Sequence, residues 1–279
     1  LRMYVRARED FQEMRKRIDN RLGKKADQSD QNVQDERYFS VEDYSNFLDV
    51  RNNAKKQELN IEKMLKDILQ QFPVYTEWLQ TIKGIGEVAA GWLIAEYDIG
   101  EAENVSKMWQ YGGMNPGMVK GKKRVAKNNY KPGMGTIIDE KKNRKDGEVD
   151  YIIQTSDMIR GDKATPGYIL PYNKNLKTHL LGVVGPGFVK ARNFYASTFY
   201  YPYKQRLENS SQLTNEIKKG GKTEKVKWKD ATKGHRDKAA IRYMMKMFLK
   251  DLYTVWRQLE GLPVRPPYQD GYLGHSHGE

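Results

Sequence analysis

The residues best placed to do chemistry in this sequence form a glycine turn, Lys83, Gly84, Ile85 and Gly86. Apolar or small residues flank the turn at helical spacing: Leu79, Ile82, Ala89 and Ala90. Glycines permit a tight turn and a close backbone approach, and the N-terminal amides of a following helix bind phosphate. The pattern predicts a helix–hairpin–helix element that contacts nucleic-acid phosphates without reading sequence. The alternative is an ordinary helical hairpin with a glycine cap.

A second candidate is an acid-free basic segment that follows about 25 residues further on. It contains seven basic residues: Lys107, Lys120, Lys122, Lys123, Arg124, Lys127 and Lys131. Glycines and prolines interrupt it, and Trp109, Tyr111 and Tyr130 are interleaved. The sequence predicts a cationic loop suited to phosphate contacts and to stacking on exposed bases. The alternative is a solvated lysine loop with no partner.

Overall charge and composition agree with a polyanionic partner. The 279 residues include 49 Lys+Arg and 36 Asp+Glu, so the net charge is +13 with neutral histidines, and there is no cysteine. The lack of cysteine excludes thiol chemistry, zinc fingers and iron–sulfur sites. No apolar run approaches the length of a membrane span, and the basic clusters do not form amphipathic helices. We therefore expect a cytoplasmic, nucleoid-associated protein with no membrane partner.

The elements that position these residues are predicted to be mainly α-helical. Residues 1–72 predict a long helical hairpin or coiled coil, in which Ser40-Val41-Glu42-Asp43 caps the second helix. Residues 73–262 predict a helical domain that contains the glycine turn and long basic loops, and residues 263–279 an extended tail. We expect a long loop or an insertion over 115–150, with or without a hairpin, a weak strand at 149–154, and a lysine-rich mobile segment over 208–227. The clearest helix spans about 230–260.

Two further segments carry candidate phosphate ligands or chemistry. Arg160 and Lys163 lie in a polar turn and are candidate phosphate contacts. Tyr195–Tyr203 is tyrosine-rich, but we interpret it as aromatic core with hydroxyls at its rim rather than as a tyrosine-recombinase site. Helical signal over 173–207 is interrupted at Gly185-Pro186-Gly187. The four histidines show no metal-ligand spacing, so no metal site is predicted.

Residues 82–117 carry a more specific signal. They combine the glycine turn, a small-residue helix and the turn Tyr111-Gly112-Gly113-Met114-Asn115-Pro116. Asn173-Lys174-Asn175-Leu176-Lys177 and the helix that follows Gly234 complete an ordered set. This set resembles the C-terminal domain of the transposase family of insertion sequences 110, 116 and 902, over roughly residues 75–260. The resemblance adds Lys174 and Lys177 to the candidate nucleic-acid-binding residues.

The resemblance implies a DNA recombinase. Members of that family combine a RuvC-like domain, which has a metal-binding Asp-Glu-Asp-Asp set, with a domain that bears a catalytic serine, and some use a structured guide RNA. Two departures bear on catalysis here. Residues 1–72 show no strands that could carry the carboxylates, and residues 167–173, where the family serine would lie, contain no serine. Thr165 carries the nearest aliphatic hydroxyl and Ser156 is the nearest serine, and neither is assigned a catalytic role.

We therefore expect a transposase-like protein that grips DNA through the hairpin and the basic loop. The alternative is a non-catalytic accessory or remnant nucleic-acid-binding protein, so enzymatic activity and its nucleophile stay open. The expected partners are DNA, a structured guide RNA as the resemblance suggests, and a second copy through the N-terminal helices. No bound cofactor is predicted, and Mg²⁺ is the candidate ion if the chain is catalytic.

Overall fold

The computed structural model describes residues 1–23, 40–142, 149–217 and 223–266, together with Gly147. The chain is mainly helical, as predicted, and includes small antiparallel sheets. It divides into two units at Glu96/Tyr97, which differs from the predicted boundary at residue 72. The glycine turn therefore belongs to the first unit, with the N-terminal helices. No helix in the described ranges is both long and apolar enough to cross a bilayer.

The first unit is built on two long helices, α1 (Arg2–Leu22) and α2 (Val41–Leu69), as the apolar periodicity predicts. Ser40 caps α2, because its hydroxyl accepts a hydrogen bond from the Asp43 main-chain amide at 3.0 Å. The two helices run antiparallel, since Arg8 pairs with Glu62 whereas Asp19 pairs with Arg51. The predicted loop that joins them falls almost entirely on residues 24–39, outside the described residues.

A buried carboxylate links these two helices. Glu58 of α2 is 5% exposed and accepts from Arg8 at 2.8 Å and from Arg15 at 2.9 Å. Hydrogen bonding to Glu58 raises the pKa of Arg15, against the effect of burial. The helix pair is thus held by charge-assisted hydrogen bonds as well as by its apolar stripe.

A third helix closes the first unit. A π-helical turn (Val74–Trp78) and a 3₁₀ turn (Leu79–Thr81) lead into the glycine turn, and α3 spans Glu87–Glu96. Trp92 of α3 packs with Val5 and Leu65 in the core. Gly91 lets the helices approach, because a Cβ at this position would lie 2.9 Å from Val5 Cγ1.

The second unit begins with α4 (Val105–Tyr111) and a three-stranded antiparallel sheet. Its strands are β1 (Met118–Ala126), β2 (Thr136–Lys142) and β3 (Val149–Arg160), in the order β1-β3-β2. Much of the segment 115–150, predicted as a long loop or an insertion, therefore lies in strands, and the antiparallel pair β2–β3 corresponds to the hairpin left open there. The predicted strand at 149–154 is confirmed and extends to Arg160. Both outer strands are polar and largely exposed, so they lack the apolar alternation by which a strand is recognised.

Helices complete the second unit. They are α5 (Lys174–His179), α6 (Gly185–Ala191), α7 (Tyr201–Asn209) and α8 (Lys233–Leu259), with π-helical turns at Leu180–Val184 and Ala196–Tyr200. Helix α8 confirms the predicted final helix. The predicted interruption at Gly185-Pro186-Gly187 is wrong, because Pro186 lies in the first turn of α6, where its missing amide is tolerated. The break comes instead at Arg192, which adopts a left-handed conformation with φ 47°.

The segment predicted to be mobile over 208–227 contains a second sheet. Strands β4 (Leu213–Ile217) and β5 (Thr223–Lys227) pair antiparallel, and residues 218–222 between them lie outside the described residues. His235 at the start of α8 stacks on Trp228, with ring centroids 5.0 Å apart, and its Nε2 lies 3.2 Å from the Thr214 hydroxyl. These contacts join the β4–β5 sheet to α8.

Candidate nucleic-acid interface

The predicted basic loop is in fact an ordered edge strand of the three-stranded sheet. Lys120, Lys122 and Arg124 lie on β1 and are exposed, and none of them forms an ion pair within the described ranges. Lys127 follows in a short 3₁₀ turn and is also exposed. A strand holds its side chains at fixed spacing, so these charges occupy a defined surface rather than a flexible loop.

The strand separates the basic residues by face. Lys122 and Arg124 are opposite Gln154 and Ile152 of β3, and directly opposed residues of an antiparallel pair share a face. Lys123 points to the other face, where its ammonium lies 4.5 Å from the Tyr168 ring centroid and 3.5 Å from Asp157. Lys107 is engaged as well, in an ion pair with Glu103 at 3.0 Å. Lys123 and Lys107 are thus less available to a ligand than the sequence alone suggests.

The face that carries Lys122 borders an open groove of about 620 Å³, here called the β1 groove. Apolar residues of the sheet line it, with Lys120 and Lys122 among the residues around it. The opposite wall combines Tyr111 at the end of α4 with residues 169–173. The Tyr111 side chain is accessible, with the residue 42% exposed. The groove therefore brings cations, apolar surface and an aromatic ring together.

Hydrogen bonds fix the wall formed by residues 169–173. The Ile169 amide donates to the Lys122 carbonyl at 2.7 Å, which attaches this segment to the free edge of β1. At its other end, the Asn173 amide donates to the Tyr111 carbonyl at 2.8 Å, and Asn173 Nδ2 donates to the Tyr111 hydroxyl at 3.1 Å. Asn173 also caps α5, as its predicted position at a helix start requires.

Three cations, from β3, α5 and α8, contact the buried residue Asp162. Asp162 is bound through both oxygens by Arg160, at 2.9 and 3.1 Å, and Arg242 donates to one of these oxygens at 3.3 Å. Lys177 donates to the main-chain carbonyl of Asp162. We call these four residues the Asp162 cluster. Arg160 and Lys177 were predicted as phosphate ligands, whereas Asp162 and Arg242 were not.

The Asp162 cluster adjoins the β1 groove through Tyr172. The Lys177 ammonium lies 4.2 Å from the centroid of the Tyr172 ring, and Tyr172 lines the groove. Lys163 is exposed beside the cluster. Lys174 is exposed on the first turn of α5, about one helical turn before Lys177.

The three interleaved aromatic residues differ in how accessible their rings are for stacking on bases. Trp109 is 5% exposed, donates from Nε1 to the Lys246 carbonyl, and is covered by the Lys246 ammonium at 4.2 Å. Burial lowers the pKa of Lys246. Tyr130 packs against Tyr151, with ring centroids 5.8 Å apart. Tyr111 is the member of the set that presents its ring to the β1 groove.

The glycine turn of the first unit is a tight turn between the 3₁₀ turn Leu79–Thr81 and α3. The Ile85 amide donates to the Ile82 carbonyl at 3.1 Å, and Gly84 has φ 94°, which matches the third residue of a type II turn. Ile85 is 9% exposed and Lys83 is exposed. Gly86 has no neighbour within 4 Å of an added Cβ. Glu87 occupies the first turn of α3, where its carboxylate complements the helix dipole and opposes a bound phosphate.

The geometry assigns no catalytic role to Ser156, Tyr195 or Tyr200. Ser156 is exposed on β3, beside a small pocket that contains Lys123 and Asp157 rather than in the β1 groove. Tyr195 and Tyr200 are buried, as predicted for aromatic core, and their hydroxyls donate to Asp251 and Asp237. Burial, followed by the hydrogen bond to Asp237, raises the pKa of Tyr200, which disfavours a tyrosinate nucleophile. Within the described ranges, no group of three or more histidine, aspartate or glutamate side chains could hold a metal ion.

Comparisons with known proteins add no family to this description. No protein-family model matches the chain, and no significant match is found among curated proteins or among solved structures.

Proposed function

We propose that residues 97–266 bind the sugar–phosphate backbone of DNA along the β1 groove, and that the chain is a transposase-like protein that acts in DNA transposition or recombination. The observation that carries the proposal is the position of Lys120 and Lys122 beside an apolar groove, with the accessible Tyr111 ring on the opposite wall. Lysines neutralise phosphates and release counterions, while an aromatic ring and apolar wall accept unpaired bases.

The transposase assignment rests on the resemblance, and one contact supports it. Tyr111 begins one motif of the resemblance and Asn173 begins another, and these two residues are joined by two hydrogen bonds. Residues from separate motifs that meet in one wall are expected of a functional site. The same contact would serve a binding site of another family equally well, so it supports the groove more strongly than it supports the family.

The glycine turn is the second proposed contact, as a helix–hairpin–helix element. Its exposed Lys83 and unhindered Gly86 favour approach of a phosphate to the backbone. Glu87 weakens that approach, since a carboxylate in the first turn already occupies the favourable end of the helix dipole. We therefore expect the β1 groove to contribute more binding energy than the turn.

A salt titration with matched variants tests the binding proposal. Lys120→Gln/Lys122→Gln/Arg124→Gln removes three exposed charges from β1, two of which line the groove, and Lys55→Gln/Lys56→Gln/Lys63→Gln removes three exposed charges from α2. Binding to duplex and single-stranded DNA is measured by fluorescence anisotropy over a range of salt. We expect the β1 variant alone to flatten the slope of log K against log salt by roughly 0.9 for each phosphate that the protein no longer neutralises. Equal losses of affinity in the two variants, or a salt-independent affinity, would refute the proposal.

Catalysis is a separate part of the proposal and has its own test. The absence of serine from residues 167–173 favours the second candidate, a non-catalytic nucleic-acid-binding accessory protein. The chain is incubated with branched DNA and Mg²⁺, with and without RNA transcribed from the flanking genomic sequence. Nicked or joined products would establish recombinase activity. Tight binding with no product under either condition would favour the non-catalytic accessory protein. Competition between the RNA and DNA determines whether a guide RNA occupies the β1 groove.

A further inference from the structure

The Asp162 cluster contains more positive charge than its carboxylate can neutralise. The Asp162 side chain is 1% exposed, and three cations, Arg160, Arg242 and Lys177, hydrogen-bond to this one residue. Three positive charges against one negative charge leave a local net charge of +2. Like charges held together at low dielectric repel strongly, so such a cluster is most stable when an anion joins it.

The two arginines keep unused hydrogen-bond donors. A guanidinium has five N–H groups, and Arg160 uses one on Nε and one on Nη2 to bind Asp162. Arg242 uses Nη1, while its Nε is buried and has no hydrogen-bond partner. The arginine side chains are 41% and 36% exposed, so part of each guanidinium is accessible from solvent. An anion at the accessible side of the two guanidinium groups could therefore accept hydrogen bonds from donors that no protein group uses.

The environment of Lys177 reports the same imbalance. Burial lowers the pKa of its ammonium most, and the nearby Arg242 lowers it further. Asp162 acts in the opposite direction, but Arg160 and Lys163 add to the lowering. The single carboxylate therefore does not offset the cations that surround this amine, and a second anion would.

Asp162 itself accounts for the geometry of the cluster. Its two oxygens orient Arg160 in a bidentate pair and hold Arg242, which lies 80 residues away on α8. The fixed fork of an arginine matches the oxygens of a phosphate, and two oriented arginines with a lysine are a common phosphate-binding combination. Asp162 thus acts as a positioning residue that holds the cations ready before a ligand arrives.

We infer that Arg160, Lys177 and Arg242, positioned by Asp162, form a discrete binding site for a single phosphate group beside the β1 groove. Phosphate is favoured over carboxylate because it offers more acceptor oxygens to the two arginines, and because Lys177 packs on Tyr172, which lines the groove proposed to bind DNA. A phosphate monoester or inorganic phosphate, which approaches a charge of about −2, also matches the excess of +2 better than a diester does. The assignment of the phosphate to a nucleic acid rests on the proposed function; the anion site itself does not.

The site is tested first with inorganic phosphate as the probe. Thermal unfolding of the full chain is followed as phosphate replaces chloride at constant ionic strength. We expect phosphate to raise the unfolding temperature of the wild type, and Arg242→Gln to weaken the apparent phosphate affinity by about tenfold, the loss of one strong charge-assisted hydrogen bond. Lys190→Gln, an exposed charge on α6 outside the cluster, is the matched control and should respond like the wild type.

Further variants distinguish a phosphate-binding site from a cluster that only stabilises the fold. If Arg242→Gln fails to fold, Arg160→Gln and Arg242→Lys provide the same comparison, and Arg242→Lys should retain part of the phosphate response because it keeps the charge. A purely structural role predicts equal phosphate stabilisation in every variant that folds. That outcome, or no phosphate effect in the wild type, would overturn the inference.

The origin of the phosphate is resolved with oligonucleotides. Tighter binding of a 5′-phosphorylated strand than of its 5′-hydroxyl counterpart, abolished in Arg242→Gln, would assign a terminal phosphate to the site. If Arg242→Gln weakens the binding of both strands equally, the site binds an internal phosphodiester. A variant that fails to bind inorganic phosphate but binds both strands normally would assign a free phosphate and refute a nucleic-acid role for the site. These three outcomes can be distinguished from a failure of the proposed function. In that case the Lys120/Lys122/Arg124 variant would bind DNA as well as the wild type does.

Discussion

Asn173 and Tyr111 are joined twice, through a main-chain hydrogen bond of 2.8 Å and a side-chain hydrogen bond of 3.1 Å to the Tyr111 hydroxyl. Sixty-two residues separate them, so the contact ties the end of α4 to the start of α5. Asn173 Oδ1 also accepts from the Leu176 amide. One asparagine therefore caps a helix and fixes a wall of the β1 groove.

Asn173→Ala should lower the free energy of unfolding by about 2 kcal/mol, because it removes both a helix cap and a hydrogen bond to Tyr111. Urea unfolding measures the change. Asn104→Ala is the matched control, since Asn104 caps α4 through the Lys107 amide and should cost only about 1 kcal/mol. In a double-mutant cycle with Tyr111→Phe, a coupling energy of zero would show that the Tyr111 hydroxyl bond contributes nothing.

The two glycines of the turn should respond differently to substitution. Gly84→Ala should lower stability by about 1 kcal/mol, because φ 94° is unfavourable for a residue with a Cβ. Gly86→Ala should leave stability within about 0.5 kcal/mol, since a Cβ there meets nothing. Urea unfolding compares them. If Gly86→Val retains the fold but weakens DNA binding, backbone approach at the turn is supported, and unchanged binding would argue against it.

Gly121 of β1 sets the position of Tyr168. A Cβ at this residue would overlap the Tyr168 ring, and this ring lies under Lys123 and donates from its hydroxyl to Asp157 at 2.6 Å. Gly121→Ala should therefore displace Tyr168 and destabilise the protein by about 1–3 kcal/mol, as overpacking does. Thermal unfolding measures the loss of stability. Gly182→Ala is the control, because a Cβ at that position meets nothing within 4 Å. Equal melting temperatures for the two variants would contradict this role of Gly121.

The lowered pKa of Lys177 predicts that the stability of the protein changes at alkaline pH. Its pKa is lowered in the folded state, chiefly by burial and then by Arg242, so the unfolded chain binds the proton more tightly. Stability should therefore rise relative to Lys177→Met as the pH increases from the folded pKa towards the unfolded value of 10.5. Urea unfolding of both proteins across this range measures the difference, in which titrations common to both cancel. A flat difference would refute the lowered pKa, and added phosphate should reduce the rise.

Much of the secondary structure could be predicted because its determinants are local. The apolar periodicities of α1, α2 and α8 predict these helices, and the capping pattern at Ser40 predicts the start of α2, since helical hydrogen bonds and caps join residues three or four apart. The glycine turn was predictable for the same reason. The basic residues of β1 were recognised as a candidate site, although their conformation was not.

The sheets could not be predicted from this sequence. Strand β1 contains Lys120, Gly121 and Lys122, and every residue of β2 is exposed, so neither strand shows alternation of apolar and polar residues. Both become strands because they pair with β3, whose Ile152 and Ile153 are buried. Hydrogen bonds between strands join residues far apart in the sequence, and no local pattern encodes them.

By itself, the sequence determined a cysteine-free, basic and mainly helical chain, with its cations concentrated after a glycine turn. Only the tertiary structure decided which cations can act together. It turned Lys123 away from Lys122, buried Trp109 and left Tyr111 accessible. It also brought Arg242 to Asp162 from 80 residues away. The physical reason is that charge and helix propensity belong to residues and their near neighbours, whereas a binding site depends on packing between distant segments of the chain.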